Sequence, residues 1–393
     1  MNKYIERANE LKEELILNRR HLHQNPELGF DLTNTVKFVT EKLQSYGLEP
    51  KKVGKAGITA LIGKGEPCIL LRADMDSLPM QETSGLDFAA TNGHCHSCGH
   101  DTHTSMLLLA AKMLKENEAN LKGTVKLMFQ PAEEILQGSL DMIENGILEN
   151  PKVDAAVAMH VFMGEKDTAS GSIRTTRGMA MSSADAYTIT VKGKSSHGSM
   201  PELGVDAVIT ACHIAIALQN ITSREISMFN QNVVLVGKIS GGDTPNTTPG
   251  HAKLEVTTRS NSEESRAFLE KRINEISKGI AETFRATVEI THNMGSPTLY
   301  NNPELVEDLL ESAKNIVPED KINLVRMSSG TEDFAFVALK VPSALIQFGV
   351  GSIDEGYKYG VHNSSMTLNE DSLPTGAALY AQFATEYLNK HGN

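Results

Sequence analysis

The sequence of 393 residues contains few cysteines, no run of basic residues and no long hydrophobic segment. Four cysteines are too few for a disulfide framework in a chain of this length, and the charged N-terminal segment MNKYIERANELKEELI lacks the apolar stretch of a secretory signal. We therefore expect reduced thiols and a cytoplasmic protein. The net charge of −12 argues against a nucleic acid partner.

Membrane insertion is also not expected. No segment reaches the ~18 uninterrupted apolar residues that a membrane-spanning helix needs. The best candidate, residues 205–218, is interrupted by Asp206, Thr210 and His213. With 40% hydrophobic and 22% charged residues, the chain instead has the composition of a globular protein with a sizeable core, and its length fits two domains or one large one.

Two kinds of pattern follow one another along the chain. In residues 1–181 helical segments alternate with short β-rich runs, which predicts an α/β domain with a mostly parallel sheet between helices. Residues 182–295 follow the order strand–helix–strand–strand–helix–strand, which predicts a smaller α+β unit of ferredoxin-like type. The first pattern returns in residues 296–393. The sequence thus predicts one discontinuous domain with a smaller domain inserted into it.

The densest group of reactive side chains is the segment HCHSCGHDTH, residues 94–103. A redox pair of Cys95 and Cys98 needs a thioredoxin-like setting, which the surrounding histidines do not support. A structural zinc site needs a second pair of ligands, and none of the other cysteines supplies one. A catalytic metal site needs ligands from several strand ends.

Cys68 and Cys212 stand in apolar runs and are expected to be core thiols.

Isolated carboxylates and histidines follow further predicted strands. Glu133 and Glu134 come after the strand at 124–130, His160 lies at the end of the next strand, and His362 follows a Gly-rich strand and loop. Taken singly, a Glu pair in a loop is usually solvated, and a His on an apolar strand is usually a core residue. Because α/β domains build their sites at the carboxyl edge of the sheet, the coincidence of these residues favours a metal site.

This set of donors suits two metal ions close together. Thiolate, imidazole and carboxylate ligands together favour Zn, Mn, Co or Ni. A dinuclear site needs a bridging ligand, and Cys98 can serve as that bridge. One residue of the Glu133–Glu134 pair would complete the ligand set, and the other would remain free as a general base. Adjacency alone does not decide which residue has which role.

Eight ordered motifs resemble the dinuclear metal amidohydrolases of the aminoacylase and glutamate carboxypeptidase superfamily. The most similar subfamily contains hippurate hydrolase, bacterial N-acyl-amino-acid amidohydrolases and plant auxin-conjugate hydrolases. The motifs span nearly the whole chain and are RRHLHQNPELGF, LRADMDSLP, SCGHDTH, QPAEE, AMHV, KGKSSHGSMP, SGTEDF and the final VHN. The resemblance implies hydrolysis of the amide bond of N-acyl amino acids. It also implies two divalent metal ions per subunit, Mn or Zn in preference to Co or Ni.

The resemblance also implies a role for each residue around the metals. Glu133 is implied as the general base that later protonates the leaving amine. Asp74 and Asp76 are implied to support the ligands, although closing a strand end is an equally good account of both. The implied metal ligands are Cys98, which bridges the ions, His100, Glu134, His160 and His362.

In relatives the inserted domain acts as a lid and carries further residues of the site. There the residue matching His197 stabilises the oxyanion, often from the neighbouring subunit, which implies a homodimer formed through residues 182–295. Asn246 and Arg259 match a pair that binds the substrate carboxylate, for which the planar guanidinium is suited. Without the resemblance, Arg259 would be a surface charge on a strand. Gly330 and Thr331 are implied to form a backbone wall of the pocket.

The sequence departs from the subfamily pattern near the expected substrate pocket. Ser97 replaces the usual Ala, residues 246–249 are Asn-Thr-Thr-Pro instead of Asn-Val-Ile-Pro, and residues 135–137 lack the usual glycines. These changes leave the identity of the substrate undetermined, because an N-acetyl-diaminopimelate deacetylase or a dipeptidase would use the same dinuclear metal site. A non-catalytic metal-binding protein is the alternative from another class, and the intact Glu133 argues against it. Cys95 is expected beside the site and not among the ligands.

Overall fold

The computed structural model describes residues 2–392, which divide into two compact units. The first unit comprises residues 2–180, 300–326 and 333–392, and the second comprises Met181–Leu299 and Met327–Glu332. Segment 327–332 lies in the second unit, although it is far along the chain from the rest of that unit. The reason lies in its hydrogen bonds, since the Gly330 carbonyl accepts from the Ser182 N–H at 3.1 Å.

The secondary structure follows the alternation that the sequence predicts. The helices are α1 (Lys3–Glu10), α2 (Lys12–Gln24), α3 (Thr33–Ser45), α4 (His100–Glu116), α5 (Gly138–Glu144), α6 (Ala207–Asn220), α7 (Glu263–Thr283), α8 (Pro303–Lys314), α9 (Ala335–Ala338) and α10 (Leu373–His391). The strands are β1 (Lys51–Val53), β2 (Gly57–Gly63), β3 (Cys68–Asp74), β4 (Thr124–Gln130), β5 (Ala155–Phe162), β6 (Ile173–Thr175), β7 (Gly178–Met181), β8 (Ser183–Lys192), β9 (Ser196–His197), β10 (Asn232–Gly241), β11 (Thr247–Thr248), β12 (His251–Ser260), β13 (Thr287–Ser296), β14 (Leu299–Asn301), β15 (Ile322–Leu324) and β16 (Ser343–Gly349). Within residues 2–392, each helix is too short or too polar to cross a bilayer.

The first unit is built on a sheet with the order β1-β2-β4-β3-β5-β16-β6-β15. Its four central strands β4, β3, β5 and β16 run parallel to their neighbours in that order. Every residue of β3, β4 and β16 is buried, as expected for parallel strands covered by helices on both faces. The prediction of an α/β fold with a mostly parallel sheet is confirmed. The parallel strands also place their carboxyl ends at one common edge.

The second unit is an antiparallel sheet with the order β10-β12-β8-β13, and α6 and α7 pack against it. The order of its strands along the chain and in the sheet is that of a ferredoxin-like domain. A separate two-stranded ribbon of β9 and β11 belongs to the same unit.

Two cysteines of the apolar runs differ in burial. Cys68 is buried in β3, as expected, whereas Cys212 is exposed on α6, so the expectation of a core thiol at Cys212 is wrong. Helix α6 carries apolar residues on every side, and only the face with Ala211, Ile214 and Leu218 packs into the core of the second unit. Hydrophobicity alone therefore did not identify the buried face.

Candidate metal centre and active site

The candidate metal ligands converge at the carboxyl edge of the parallel sheet in the first unit. The ligand atoms of Cys98, His100 and His160 lie within 4.8 Å of one another. Those of Cys98, Glu134 and His362 form a second group with the same spacing. Cys98 belongs to both groups, and together they contain all the residues to which the resemblance assigns metal binding. Two ions sharing Cys98 would account for this arrangement.

Gly99 sets the direction of the chain between Cys98 and His100. Its φ of +89° lies in the left-handed region, and a Cβ atom there would lie 2.4 Å from Cγ2 of Val161. Both conditions require glycine. Cys98 therefore stays in the loop while His100 begins α4, and both side chains reach the same edge of the sheet.

His160 is prepared to act as a ligand through Nε2. Its Nδ1–H donates to the Val161 carbonyl at 2.8 Å, and its Nε2 lies 3.3 Å from Sγ of Cys98. Burial lowers the pKa of His160 well below its usual value. The ring is therefore neutral, and its Nε2 lone pair faces the other candidate ligands.

The donor set around His100 fits a divalent cation. His100 Nε2 lies 3.9 Å from Oε2 of Glu133 and 4.0 Å from Oε1 of Glu134. Among the residues described, neither Nε2 of His100 nor Oε1 of Glu134 makes a hydrogen bond, although both atoms are buried. Buried polar atoms without partners are costly, and a cation placed among His100 Nε2 and these carboxylates would satisfy them.

Burial also raises the proton affinity of two candidate ligands. It raises the pKa of the Cys98 thiol well above its usual value and that of Glu134 to about 7. Both groups bind a metal in their deprotonated forms, so binding a cation displaces their protons. A cation bound by these two groups would therefore be held more tightly as the pH rises through the neutral range.

Asp76 links the two glutamates to His100. Its carboxylate accepts the backbone N–H groups of Glu133 at 3.1 Å and Glu134 at 3.2 Å. Its Oδ1 also lies 3.3 Å from Nδ1 of His100. Asp74, at the end of β3, lies with Oδ2 3.6 Å from Nε2 of the same histidine. These contacts favour the supporting role of both aspartates over that of merely closing a strand.

His362 reaches the site from the loop that follows β16. Its N–H donates to the Ser97 carbonyl at 2.7 Å, which ties this loop to the residue before Cys98. Its Nε2 lies 3.5 Å from Oε2 of Glu134. The φ of +61° is uncommon outside glycine, and such backbone strain concentrates at functional sites.

His197 and Asn246 come together on the ribbon of the second unit. His197 is exposed in β9 and pairs with Thr247 of β11, and the N–H of Gly198 donates to the Asn246 carbonyl at 2.8 Å. The imidazole Nδ1 of His197 shares a hydrogen bond of 2.7 Å with Oγ of Ser199. That bond engages Nδ1 of His197 and not Nε2.

Arg259 lies near the end of β12 and donates through Nη1 to the hydroxyl of Thr331. Thr331 follows Gly330 in the segment that joins the second unit. Arg259, Gly330 and Thr331 therefore form a second neighbouring set of predicted substrate-binding residues, on elements other than the ribbon.

Sequence reasoning missed a layer of buried polar residues beside the candidate metal ligands. Arg72 is fully buried and donates to Asp74 at 2.8 Å, to Gln130 at 2.8 Å and to Asp333 at 3.3 Å. His103 is also fully buried and contacts Asp74. The sequence does contain a signal for this layer, since Arg72 lies inside the apolar strand CILLRAD. An unpaired guanidinium is not tolerated there, so its presence predicts buried polar partners.

Comparisons with known proteins agree with this arrangement. Hippurate hydrolase from Campylobacter jejuni is 36% identical over 375 residues, which cover 94% of this chain and 95% of the relative. N-acetyl-L-cysteine deacetylase from Bacillus subtilis is 34% identical over 92% of this chain and 85% of its own length. These relatives confirm the resemblance to the amidohydrolase subfamily.

A solved structure and a family model give the same assignment. The structure is a Bacillus subtilis protein described as a dinuclear metal-binding peptidase of the M20 family. It superposes with a TM-score of 0.81 at 30% identity, covering 97% of this chain and 99% of its own. The family model described as peptidase family M20/M25/M40 matches residues 70–386. The chain, with its candidate ligands for divalent metal at the edge of the sheet, therefore belongs to peptidase family M20/M25/M40.

Proposed function

We propose that this protein hydrolyses the amide bond of N-acyl amino acids, releasing a carboxylic acid and a free amino acid, with two divalent metal ions per subunit. The observation that carries the proposal is that Cys98 is common to two groups of candidate ligands while Glu133 lies beside them. The names of the two relatives support this substrate class. Mn or Zn is the proposed metal, with Co or Ni as alternatives, because the ligand set contains thiolate, imidazole and carboxylate.

Glu133 is the proposed general base. Its side chain is buried, and its backbone N–H is held by Asp76, so the carboxylate has a defined position with little competing water. It accepts a proton from the attacking water and later donates that proton to the leaving amine. When bound, the metals polarise the acyl carbonyl and lower the pKa of water. His197 donates to the oxyanion, and Arg259 with Asn246 binds the carboxylate of the amino acid.

The proposal is tested by measuring amine release from N-acetyl, N-benzoyl and longer N-acyl amino acids. The protein is stripped of metal and then supplied with Mn²⁺, Zn²⁺ or Co²⁺. We expect release that depends on added metal and stops when a chelator is present. Dipeptides and N-acetyl-diaminopimelate are included in the same assay. If amine is released only from these compounds, they replace N-acyl amino acids as the proposed substrate class. If no compound releases amine although metal is bound, the proposal of an enzyme is wrong.

We expect Arg259→Ala to lower kcat/KM for an N-acyl amino acid roughly 10- to 100-fold, because charge-assisted hydrogen bonds to a carboxylate are lost. The control substrate is the corresponding N-acyl amino acid amide, which has no carboxylate. The variant and the wild type should hydrolyse this amide at similar rates. An equal loss on both substrates would show that Arg259 does not recognise the carboxylate.

We also propose a homodimer through the second unit, in which His197 acts in the partner's site. The exposed face of α6 carries Ile209 and Ile216, which are 48% and 72% exposed, and β10 is an edge strand of the described sheet. An apolar helix face beside a free strand edge is suited to a second copy of the same chain.

Complementation between two inactive variants tests action in the partner's site. Glu133→Gln and His197→Ala are each expected to be nearly inactive alone. Coexpression makes about half of the dimers mixed, and in each mixed dimer one site of two combines an intact Glu133 with an intact His197 from the partner. About a quarter of wild-type activity is therefore expected to return. If His197 acts within its own subunit, mixing restores no activity. A monomeric, fully active protein would also contradict the proposal.

We further propose that the protein acts in the cytoplasm. A metal-binding role for Cys98 requires a reduced thiol, and the cytoplasm keeps thiols reduced.

A further inference from the structure

His103 lies one helical turn beyond His100 and is fully buried. Its ligand atoms and those of Asp74 and His100 lie within 4.8 Å of one another, so spacing alone would allow this histidine to bind a metal. Its hydrogen bonds decide otherwise. The backbone N–H of Val161 donates to Nε2 at 2.8 Å, and Nδ1 lies 2.6 Å from Oδ1 of Asp74.

These two contacts determine the protonation of the ring. A backbone N–H is only a donor, so Nε2 of His103 must carry the lone pair that accepts it. In the neutral ring the proton then lies on Nδ1 and is donated to Asp74. Both nitrogens are therefore occupied, and coordination of a metal would break one of the bonds.

The partner of His103 Nε2 is the peptide group next to a candidate ligand. The Val161 N–H is held by His103, and the Val161 carbonyl accepts from Nδ1 of His160 at 2.8 Å. The rings of His103 and His160 are also in edge contact, with centroids 4.6 Å apart. At the other end, Asp74 is anchored by Arg72 through its second oxygen, Oδ2, at 2.8 Å. A continuous chain of contacts thus runs from Arg72 to His160.

We infer that His103 is a positioning residue for His160 and binds no metal itself. With Nε2 accepting the Val161 N–H and Nδ1 bonded to Asp74, it fixes the Val161 peptide, and this peptide fixes the tautomer and orientation of His160. Such partners of a ligating histidine typically affect metal affinity by about 10- to 100-fold. The inference rests on the proposed metal site, and the first experiment tests the two separately.

The first experiment is NMR of the full-length wild-type protein labelled with ¹⁵N in histidine, metal-free and loaded with ¹¹³Cd²⁺. The His103 resonances are assigned from their loss in His103→Gln. We expect protonation on Nδ1 of His103 in both states, with ¹¹³Cd couplings on other histidines but none on His103. A coupling on His103, or protonation on its Nε2, would overturn the inference. Absence of ¹¹³Cd binding would instead overturn the metal site, and the inference with it.

The second experiment separates the two hydrogen bonds of His103. His103→Asn keeps an N–H group near the position of Nδ1, whereas His103→Gln places a carbonyl oxygen near the position of Nε2 to accept the Val161 N–H. We expect Zn²⁺ affinity to fall about 10- to 100-fold in the Asn variant and less in the Gln variant, with two ions still bound at saturation. The control is His21→Gln, which changes an exposed ring stacked on Phe38.

Several results would contradict this expectation. Wild-type affinity in both variants would exclude a positioning role, and the loss of one ion at saturation would make His103 a ligand. Thermal unfolding of each variant identifies any that does not fold. In that case the NMR result on the wild type decides alone.

Discussion

Replacing Glu133 with Gln is expected to lower kcat about 10²- to 10⁴-fold while the protein keeps its full metal content. Gln has nearly the same shape, but its amide cannot take a proton from water or return one to the leaving amine. The Glu133 N–H still donates to Asp76, so the loop keeps its position. The measurement combines steady-state kinetics on the best N-acyl amino acid with metal analysis of the purified variant.

Glu134→Gln is the matched comparison, because it makes the same chemical change at the adjacent residue. Oε1 of Glu134 is buried without a hydrogen bond among the described residues, and Oε2 lies 3.5 Å from Nε2 of His362. We expect this variant to lose metal affinity. If Glu133→Gln loses the metal and Glu134→Gln loses only kcat, the two roles have been assigned in the wrong order.

Cys98→Ala is expected to have the second large effect, the loss of both metal ions. Cys98 is the residue common to the two groups of candidate ligands, so its removal weakens both sites at once. We expect metal affinity to fall at least 100-fold, because loss of a residue that only supports a ligand already lowers affinity by up to about 100-fold. At micromolar metal concentrations we expect no activity. Metal content after dialysis and Zn²⁺ titration measure the effect.

Cys95→Ala is the matched control for Cys98→Ala. Cys95 is also buried, and it lies three residues earlier in the same loop, where its backbone pairs with Leu78. We expect this variant to bind two ions with wild-type affinity. If Cys98→Ala retained one ion at wild-type affinity, Cys98 would serve a single ion and the proposed bridge would be wrong.

The order of residues along the chain was enough to predict the α/β fold and the family and to propose the group of candidate ligands. Apolar runs of strand length ended next to polar residues, and parallel strands must end at a common edge. This is why His160 and the Glu133–Glu134 pair could be expected close together. The segment Cys98-Gly99-His100 could be identified as a candidate metal site because cysteine and histidine seldom occur so close together just before a helix begins. These features depend on local order along the chain.

Other features depend on how distant parts of the chain pack together. Arg72 and Asp333 are separated by 261 positions, and their contact appears only when the sheet is assembled. The role inferred for His103 depends on the N–H of Val161, and a backbone donor has no signature in the sequence. The exposed position of Cys212 depends on which face of α6 packs against the core. Burial and hydrogen-bond direction are properties of the assembled chain, and they distinguish a metal ligand from the residue that positions it.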